Sequence, residues 1–288
     1  MKKADAILIS DIHLRETVPV CRTDDFLDVQ WKKLRFVKKL QAKHECPVLC
    51  GGDLFHHWKP SPELISKTIH NLPKQFYTVY GQHDLPQHSL ELAYKSGIYT
   101  LEKAKAVEVL RGFHWGMQPD GETDSLGIDI NGKSIAIWHR FTYKGKEPWL
   151  GCNEPAARKL LKKYPQFDLI LTGDNHVTFT EEYQGRLLVN PGSLFRTTAS
   201  QVDHKPCMFL WYASTNTVEQ VFLPIAEGVI SREHIEKIEE RDNRIDAFVS
   251  SLNTEFGTEL SFEKNLELFY QQNRIRGKVK QIITESLE

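Results

Sequence analysis

The sequence predicts an α/β protein with a helical extension, and three observations support that prediction. Short apolar runs alternate with helical patterns over most of the chain. The 288 residues are 40% hydrophobic and 26% charged, which is ordinary for a globular protein with its own core. From Gly228 onwards the chain is charged and helical in periodicity, without a good strand. We therefore expect one large domain over residues 1–227 and a helical extension over residues 228–288.

The apolar runs predict the strands in chain order. Strands are expected at residues 6–9, 47–50 and 76–80, and then at residues 169–171, 187–189, 208–212 and 218–223. Residues 107–139 are also β-like. Within them Asn131-Gly132 separates two apolar runs, and this residue pair is typical of a two-residue hairpin turn.

Three helices are predicted before the extension. In residues 26–43 the helical spacing places one set of side chains inside (Leu27, Trp31, Leu34 and Leu40) and a lysine set outside (Lys32, Lys33, Lys38 and Lys39). Ser61 is expected to cap a second helix that has Pro62 in its first turn and ends near Leu72. A third helix is expected near residues 154–164.

Charge and cysteine content narrow the function classes. A net charge of −1 gives no global basic field, so any charge that binds DNA must be local. Basic clusters occur at residues 32–39, 158–163 and 274–280, although such runs usually form solvated helix faces. Five cysteines lack paired zinc-binding spacing, and the sequence has no signal-peptide core or membrane-length apolar stretch. We expect reduced thiols and a cytoplasmic location, without membrane attachment.

Polar residues of metal-binding type follow five of the apolar strands. They are Asp11, His13, Asp53, Gln82, His83, Asp84, His139, Asp174 and His176. Because the carboxyl ends of strands in an α/β sheet border one crevice, residues far apart in sequence can converge there. Carboxylate, imidazole and amide donors together suit hard or borderline divalent cations. Even seven of these nine donors exceed the needs of one ion and fit two ions that share a carboxylate, the arrangement that clamps phosphoryl groups.

The order of these motifs resembles the calcineurin-like metallophosphoesterases over roughly residues 5–225. The resemblance implies a four-layer αββα fold, in which helices flank a two-sheet sandwich, and makes residues 1–227 the catalytic domain. Residues 51–56 with 59–61, and residues 190–197, are similar to the SbcD-like and meiotic-recombination DNA repair nucleases. The resemblance therefore implies a DNA exonuclease or endonuclease of recombination or repair that uses a water activated by two metals.

The resemblance also implies a role for each polar residue. One metal would be held by Asp11, His13 and His176, a second by Gln82, His139 and Asp174, and Asp53 would bridge them. His83 would protonate the leaving oxygen or stabilise its charge, while Asp84 would orient the His83 ring. Gln82 and Asp174 replace the family's usual Asn and His, and both departures concern the second metal. His56 and His57 are expected to support the ligands rather than bind metal.

The donor set and the extension lead to the cofactor and partner predictions. Because oxygen donors outnumber nitrogen donors, Mn²⁺ is expected, with Mg²⁺ weaker. The resemblance implies DNA, an SbcC-type ATPase subunit and a homodimer as partners. The extension carries amphipathic stripes, including Ile238, Ile245 and Leu252, that either pack on the catalytic domain or dock a partner. A phosphoesterase for nucleotides or other small phosphorylated substrates, and a non-catalytic scaffold, remain alternatives.

Overall fold

A computed structural model describes residues 2–110, 113–117, 127–255 and 262–286. The chain divides into two compact units, Met1–Ser231 and Arg232–Glu288. The first unit contains two mixed sheets flanked by helices, so the predicted α/β fold with a two-sheet sandwich is confirmed. Within the described ranges, every helix is too short or too polar to cross a membrane.

The described residues form eleven strands and seven α-helices. The strands are β1 Ala6–Ile9, β2 Val48–Cys50, β3 Phe76–Thr78, β4 Glu108–Val109, β5 Ile128–Ile130, β6 Lys133–Trp138, β7 Leu169–Thr172, β8 Phe179–Tyr183, β9 Arg186–Asn190, β10 Cys207–Tyr212 and β11 Thr217–Phe222. The helices are α1 Phe26–His44, α2 Pro62–Asn71, α3 Gly97–Lys103, α4 Ala157–Lys163, α5 Glu233–Glu255, α6 Phe262–Gln272 and α7 Gly277–Glu285.

Parallel strands form the centre of both sheets. The six-stranded sheet has the order β11-β10-β1-β2-β3-β4, with β1 to β4 parallel and β10 antiparallel to β1. The five-stranded sheet has the order β5-β6-β7-β9-β8, with β6, β7 and β9 parallel. The β5–β6 hairpin turns at Asn131 and Gly132, whose φ angles of 54° and 74° suit a two-residue turn.

The side chains of β1 explain the layers of the first unit. All four residues of this strand are buried, as expected for a central parallel strand covered on both faces. Ile7 and Ile9 pack with the cluster that includes helices α1, α2 and α3, whereas Ala6 and Leu8 pack with the five-stranded sheet. Helix α4 covers the other face of that second sheet. The strands of both sheets are therefore held in register, and their carboxyl ends are fixed relative to each other.

Helix α1 corrects one sequence prediction. Lys33 was expected outside, but it is 3% exposed and its Nζ donates to the Leu194 carbonyl at 3.1 Å. The buried face follows Phe26, Gln30, Lys33, Val37 and Gln41, at helical spacing. The apolar pattern placed Leu27 and Leu40 inside. In the structure both are only partly buried and pack against the core cluster.

The other sequence differences are local. Helix α4 begins at Ala157, later than expected, and helix α3 and strand β8 were not predicted. In β8 the sequence Phe-Thr-Glu-Glu-Tyr is partly exposed, so it lacks the apolar run that identified the other strands. All five cysteines are free, and Cys46, Cys50 and Cys207 are buried.

The second unit consists of helices α5, α6 and α7. The rings of Phe248 and Phe269 pack edge to face, with their centroids 4.9 Å apart, and Leu266 is buried. Ile238 and Ile245 are about half exposed in helix α5. The side chain of Leu252, part of the predicted stripe, lies outside the described residues. The function of this unit stays a prediction.

Candidate metal centre

The structure brings the predicted ligands together at the carboxyl ends of strands from both sheets. Asp11 and His13 follow β1, Asp53 follows β2, and Gln82 lies in a short 3-10 helix after β3. His139 follows β6 directly, and Asp174 and His176 follow β7. The crevice is thus shared between two sheets, which explains how residues more than 160 positions apart come into contact.

The first predicted ligand group is compact. The Nε2 atoms of His13 and His176 are 3.2 Å apart, and the Asp11 Oδ1 atom lies 3.9 Å and 3.8 Å from them. Potential ligand atoms of these three residues all lie within 4.8 Å of one another. This spacing allows one cation to contact all three side chains.

Asp53 occupies the position expected of a bridging ligand. Its Oδ2 atom lies 3.6 Å from the His13 Nε2 atom on one side and 3.4 Å from the His139 Nε2 atom on the other. Asp53, Asp11 and His139 form a second group with potential ligand atoms within 4.8 Å. One carboxylate therefore faces both predicted ligand groups.

Gln82 connects the remaining members of the second ligand group. Its Oε1 atom lies 2.7 Å from the His139 Nε2 atom, and its Nε2 atom donates to the Asp174 Oδ1 atom at 2.7 Å. The other ring nitrogen of His139, Nδ1, lies 2.6 Å from the Gly51 carbonyl oxygen. That carbonyl accepts the Nδ1 proton and directs Nε2 toward the site, as oriented metal-binding histidines require.

The ligand loops adopt backbone conformations that non-glycine residues rarely use. Asp11, His13, Asp53 and Asp174 have φ angles of 49°, 50°, 51° and 73°. Two loops hold each other in place: Asp11 N–H donates to the Gly52 carbonyl at 3.1 Å and His13 N–H to the Asp53 carbonyl at 2.9 Å. Such strained positions concentrate at functional sites, where the surrounding structure must stabilise them.

Electrostatic interactions within the site shift the protonation equilibria of its ligands. Burial, together with His176 and His83, lowers the pKa of His13 to about 3, which leaves a neutral imidazole. Burial alone would raise the pKa of Asp53, but His139 and His13 hold it below its usual range. Burial alone would lower the pKa of His139, whereas Asp53 and Asp11 raise it to about 10. The cluster of carboxylates thus attracts positive charge to this position.

The residues present fit divalent cations. The Asp11 Oδ2 atom and the His13 Nδ1 atom are buried without a hydrogen-bond partner, which is costly for a carboxylate unless a cation contacts it. Two imidazoles direct Nε2 atoms at each other beside this carboxylate. Three carboxylates, an amide oxygen and three imidazoles form a donor set that Mn²⁺, Mg²⁺ and related ions accept.

His83 lies next to the ligands without belonging to either predicted group. Its Nδ1 atom is 2.9 Å from the His56 carbonyl oxygen, and its ring is 4.8 Å from the His13 ring. The His56 ring stacks on it at 5.4 Å. Burial, Arg15 and His83 lower the pKa of His56 to about 4, so His56 is neutral. His83 is partly exposed and can reach a substrate.

The predicted contact between Asp84 and the His83 ring is wrong. The Asp84 carboxylate is fully buried and accepts from the backbone N–H groups of Leu54, Phe55 and Gly81 at 3.3, 3.0 and 3.1 Å. Asp84 thus holds the loops after β2 and β3 together. The carbonyl of His56 orients the His83 ring instead, a contact that no side-chain pattern could have identified.

A cavity of about 140 Å³ adjoins the second ligand group. Its wall includes His139 and Asp174 together with Trp115, Arg140 and Phe141. The sequence analysis assigned neither Trp115 nor Phe141 to the site. The cavity gives a flat apolar group room beside the ligands.

Comparison with known proteins places these features in a family. Residues 5–211 match the model of the calcineurin-like phosphoesterase superfamily domain. Similar solved structures include a novel archaeal phosphodiesterase, with 15% identity, a TM-score of 0.42, and coverage of 76% of this chain and 99% of that chain. Another is Vps29 from Entamoeba histolytica, with 16% identity, a TM-score of 0.37, and coverage of 76% and 99%. A predicted phosphoesterase from Streptococcus pneumoniae has 15% identity, a TM-score of 0.35, and coverage of 73% and 82%.

These structural likenesses are too distant to support an argument about activity. The comparison with curated proteins finds no match. The family model covers strands β1 to β9, most of β10 and every predicted metal ligand, and it is the comparison on which the family assignment depends.

Proposed function

The chain belongs to the calcineurin-like phosphoesterase superfamily, and on that basis we propose that it is a two-metal phosphodiesterase that cleaves DNA in recombination or repair. One observation carries the hydrolase part of the proposal. Seven donor side chains from five strand ends meet around Asp53, with His83 beside them. The nuclease part is supported by residues 51–61 and 190–197, which resemble the SbcD-like nucleases.

In the proposed enzyme Asp11, His13 and His176 would hold one ion, and Gln82, His139 and Asp174 would hold the other. Asp53 would contribute a ligand to both. When bound, the ions supply Lewis-acid polarisation of a phosphoryl group and lower the pKa of a water. Mn²⁺ is the proposed metal because four of the seven donors are oxygen ligands, which favour harder cations over zinc.

His83 is the proposed acid for the leaving oxygen. The His56 carbonyl accepts the proton on the Nδ1 atom of this ring, which leaves Nε2 to exchange a proton with substrate. The stacked His56 ring limits rotation of the His83 ring. His83 therefore has a fixed orientation, partial exposure and a position beside the ligands, which are the features a general acid needs.

A nucleotide phosphoesterase is the second candidate. The net charge of −1 provides no general attraction to a polyanion. The cavity beside His139 offers Trp115 and Phe141 as apolar surface and Arg140 as a cation, which suits the base of a nucleotide. A non-catalytic scaffold is less well supported, because it has no need of His83 beside a complete ligand set.

One assay separates these candidates. The metal-loaded chain is given labelled single-stranded DNA, labelled double-stranded DNA, a nucleotide and a bis-ester dye, with His83→Ala and chelator as controls. The nuclease proposal expects DNA cleavage that both controls abolish or strongly reduce. Cleavage of the dye or nucleotide without cleavage of DNA would select the second candidate. Failure on every substrate, with the metals bound, would support the scaffold.

The partner proposals concern the second unit and remain separate from the chemistry. Helices α5 to α7 offer about half-exposed apolar side chains, including Ile238, Ile245 and Ile282, that a groove on an SbcC-type ATPase could accept. A homodimer is proposed on the resemblance alone. The five free cysteines support a reducing, cytoplasmic setting.

A further inference from the structure

A second cluster of charged side chains lies in a pocket of about 290 Å³ that contains none of the predicted metal ligands. Its buried basic residues are Arg22, Lys33 and Arg196, and its apolar wall includes Val29 and Ile225. A fourth basic residue, Lys32, is exposed and already paired with Asp28 at 2.6 Å. We call the site formed by Arg22, Asp24, Val29, Lys33, Arg196 and Ile225 the basic pocket. All of them belong to the catalytic unit.

The cations of the basic pocket outnumber its carboxylates. Asp24 pairs with Arg22 through two bonds, of 2.7 Å from Nε and 2.5 Å from Nη2. Lys33 donates to the Leu194 carbonyl, and its Nζ atom lies 5.4 Å from the centre of the Phe195 ring. Arg196 donates to the carbonyls of Val202 and Ala226, at 3.2 Å and 2.7 Å. Among the described residues, therefore, neither Lys33 nor Arg196 is paired with a carboxylate.

The three basic side chains are buried, so their excess charge is costly. Lys33 is 3% exposed, Arg196 is 6% exposed and the Arg22 side chain is 3% exposed. The Arg196 Nε atom is buried without any hydrogen-bond partner. Burial, followed by the charges of Arg22 and Arg196, lowers the pKa of Lys33 to about 7. Buried cations normally require a counter-charge, and a methionine could fill the Lys33 position without this cost.

A structural role explains only part of this arrangement. Arg196 donates to the carbonyls of Val202 and Ala226, and Arg22 donates to the Arg196 carbonyl at 3.1 Å, so both guanidinium groups hold the backbone. That role accounts neither for a third cation at Lys33 nor for the unpartnered Arg196 Nε atom. An anion bound in the pocket would account for both.

We propose that the basic pocket binds a phosphate group, either free or carried by a small phosphorylated molecule. With Lys33 protonated, three cations face one carboxylate, and the excess matches the charge of nearly −2 that a phosphate monoester carries near pH 7. Guanidinium groups bind phosphate through paired hydrogen bonds, and a neighbouring lysine adds a compact charge. Val29 and Ile225 offer apolar surface for an organic group. This inference does not depend on nuclease activity.

The experiment counts phosphate bound to the metal-loaded, full-length chain by equilibrium dialysis with labelled inorganic phosphate. Because the metal centre can also bind phosphate, phosphate in the basic pocket is measured as the difference in bound phosphate between the wild type and a pocket variant. Lys33→Met should remove about one bound phosphate per chain, or weaken that site by roughly tenfold or more, and leave metal content unchanged. Lys39→Met, at an exposed position of the same helix, should match the wild type. Equal phosphate binding by the wild type and Lys33→Met would overturn the proposal.

A second variant makes the test independent of how well Lys33→Met folds. Asp24→Asn removes the carboxylate that pairs with Arg22, so phosphate should bind roughly tenfold more tightly. A purely structural ion pair gives no reason for tighter binding, and unchanged or weaker binding would contradict the proposal. Repeating the titration with a nucleoside monophosphate identifies the source of the phosphate group. Tighter binding than inorganic phosphate assigns the pocket to a small phosphorylated molecule, and equal binding assigns it to the phosphate group alone.

Discussion

His83 separates proton transfer from metal binding at the level of a single residue. Its ring is held by the His56 carbonyl and lies outside both predicted ligand groups. We expect His83→Ala to retain its metals and to lose about 10²–10⁴ in turnover of a bis-ester substrate, the usual size of an acid–base contribution. His70→Ala, at an exposed position of helix α2, should keep wild-type turnover. Loss of metal from His83→Ala, or full activity in it, would refute the assigned role.

Lys33 makes stability depend on pH in a defined direction. Its ordinary pKa is 10.5, and burial with Arg22 and Arg196 lowers the folded-state pKa to about 7, while Asp24 opposes that shift. Between these values the unfolded chain binds the proton and the folded chain does not. The Lys33 contribution therefore makes the free energy of unfolding rise with pH from about 7 toward 10.5.

Comparison of the wild type with Lys33→Met isolates the contribution of Lys33 to the free energy of unfolding, because all other titrating groups are the same in both proteins. In phosphate-free buffer, the stability of the wild type relative to Lys33→Met should increase from pH 7 to 9.5, by an amount on the order of a few kcal/mol. Urea unfolding at each pH measures the difference. A difference that stays constant or falls with pH would mean that Lys33 keeps an ordinary pKa.

The structure brings together the residues that their chemistry identified, whereas the sequence missed contacts that depend on packing alone. Potential metal ligands follow five apolar strands in this sequence, a recurrence that rarely arises by chance. The structure brings these residues together: Asp11, His13, Asp53, Gln82, His139, Asp174 and His176. The burial of Lys33 was missed because a lysine in a helix is normally taken as exposed. The Asp84 contacts were missed because their partners are backbone N–H groups, which every residue possesses.

At the scale of elements, short turns after the strands determine the geometry of the centre. Gly52 lies in the turn after β2 with a φ of 101°, and a Cβ atom there would come within 2.5 Å of the His139 Nδ1 atom. Gly52→Ala should therefore displace His139 and lower affinity for the second metal more than for the first. Metal titration of the variant measures both affinities. Gly116→Ala, where a Cβ meets no atom within 4 Å despite a similar positive φ, controls for backbone strain. Equal loss in the two variants would contradict the clash.

The elements themselves were predictable to different degrees. Strands β1, β7 and β10 are formed largely by apolar runs, which made them predictable. The Asn131-Gly132 pair likewise predicted the hairpin turn that the structure contains. Strand β8 and helix α3 are short and carry weak patterns, so tertiary contacts must stabilise them. Strand ends from two sheets converge on one crevice through contacts that are distant in sequence. This convergence of two sheets was predicted from the resemblance to a family, because the periodicity of a single strand carries no information about it.

At the scale of the whole molecule, the division at Ser231 suggests a test of the second unit. Residues up to 231 belong to the catalytic unit, since the Ser231 N–H donates to the Cys21 carbonyl and the Thr23 N–H to the Val229 carbonyl. Truncation after Ser231 should leave a folded protein that binds metal and cleaves a small phosphodiester but no longer binds an SbcC-type ATPase. Thermal unfolding, metal content and pull-down measure the three properties. Aggregation or a much lower melting temperature would instead assign the second unit to the core.

Metal content tests the central claim, that side chains at five strand ends form one two-metal centre around Asp53. After loading with Mn²⁺ and removal of free metal, elemental analysis of the wild type should find about two ions per chain. Asp53→Asn should retain few or none, because a neutral amide bridges two dications poorly, whereas Asp203→Asn, at an exposed position, should retain the wild-type content. A wild type that holds no metal, or an Asp53→Asn protein that still holds two ions, would contradict the account.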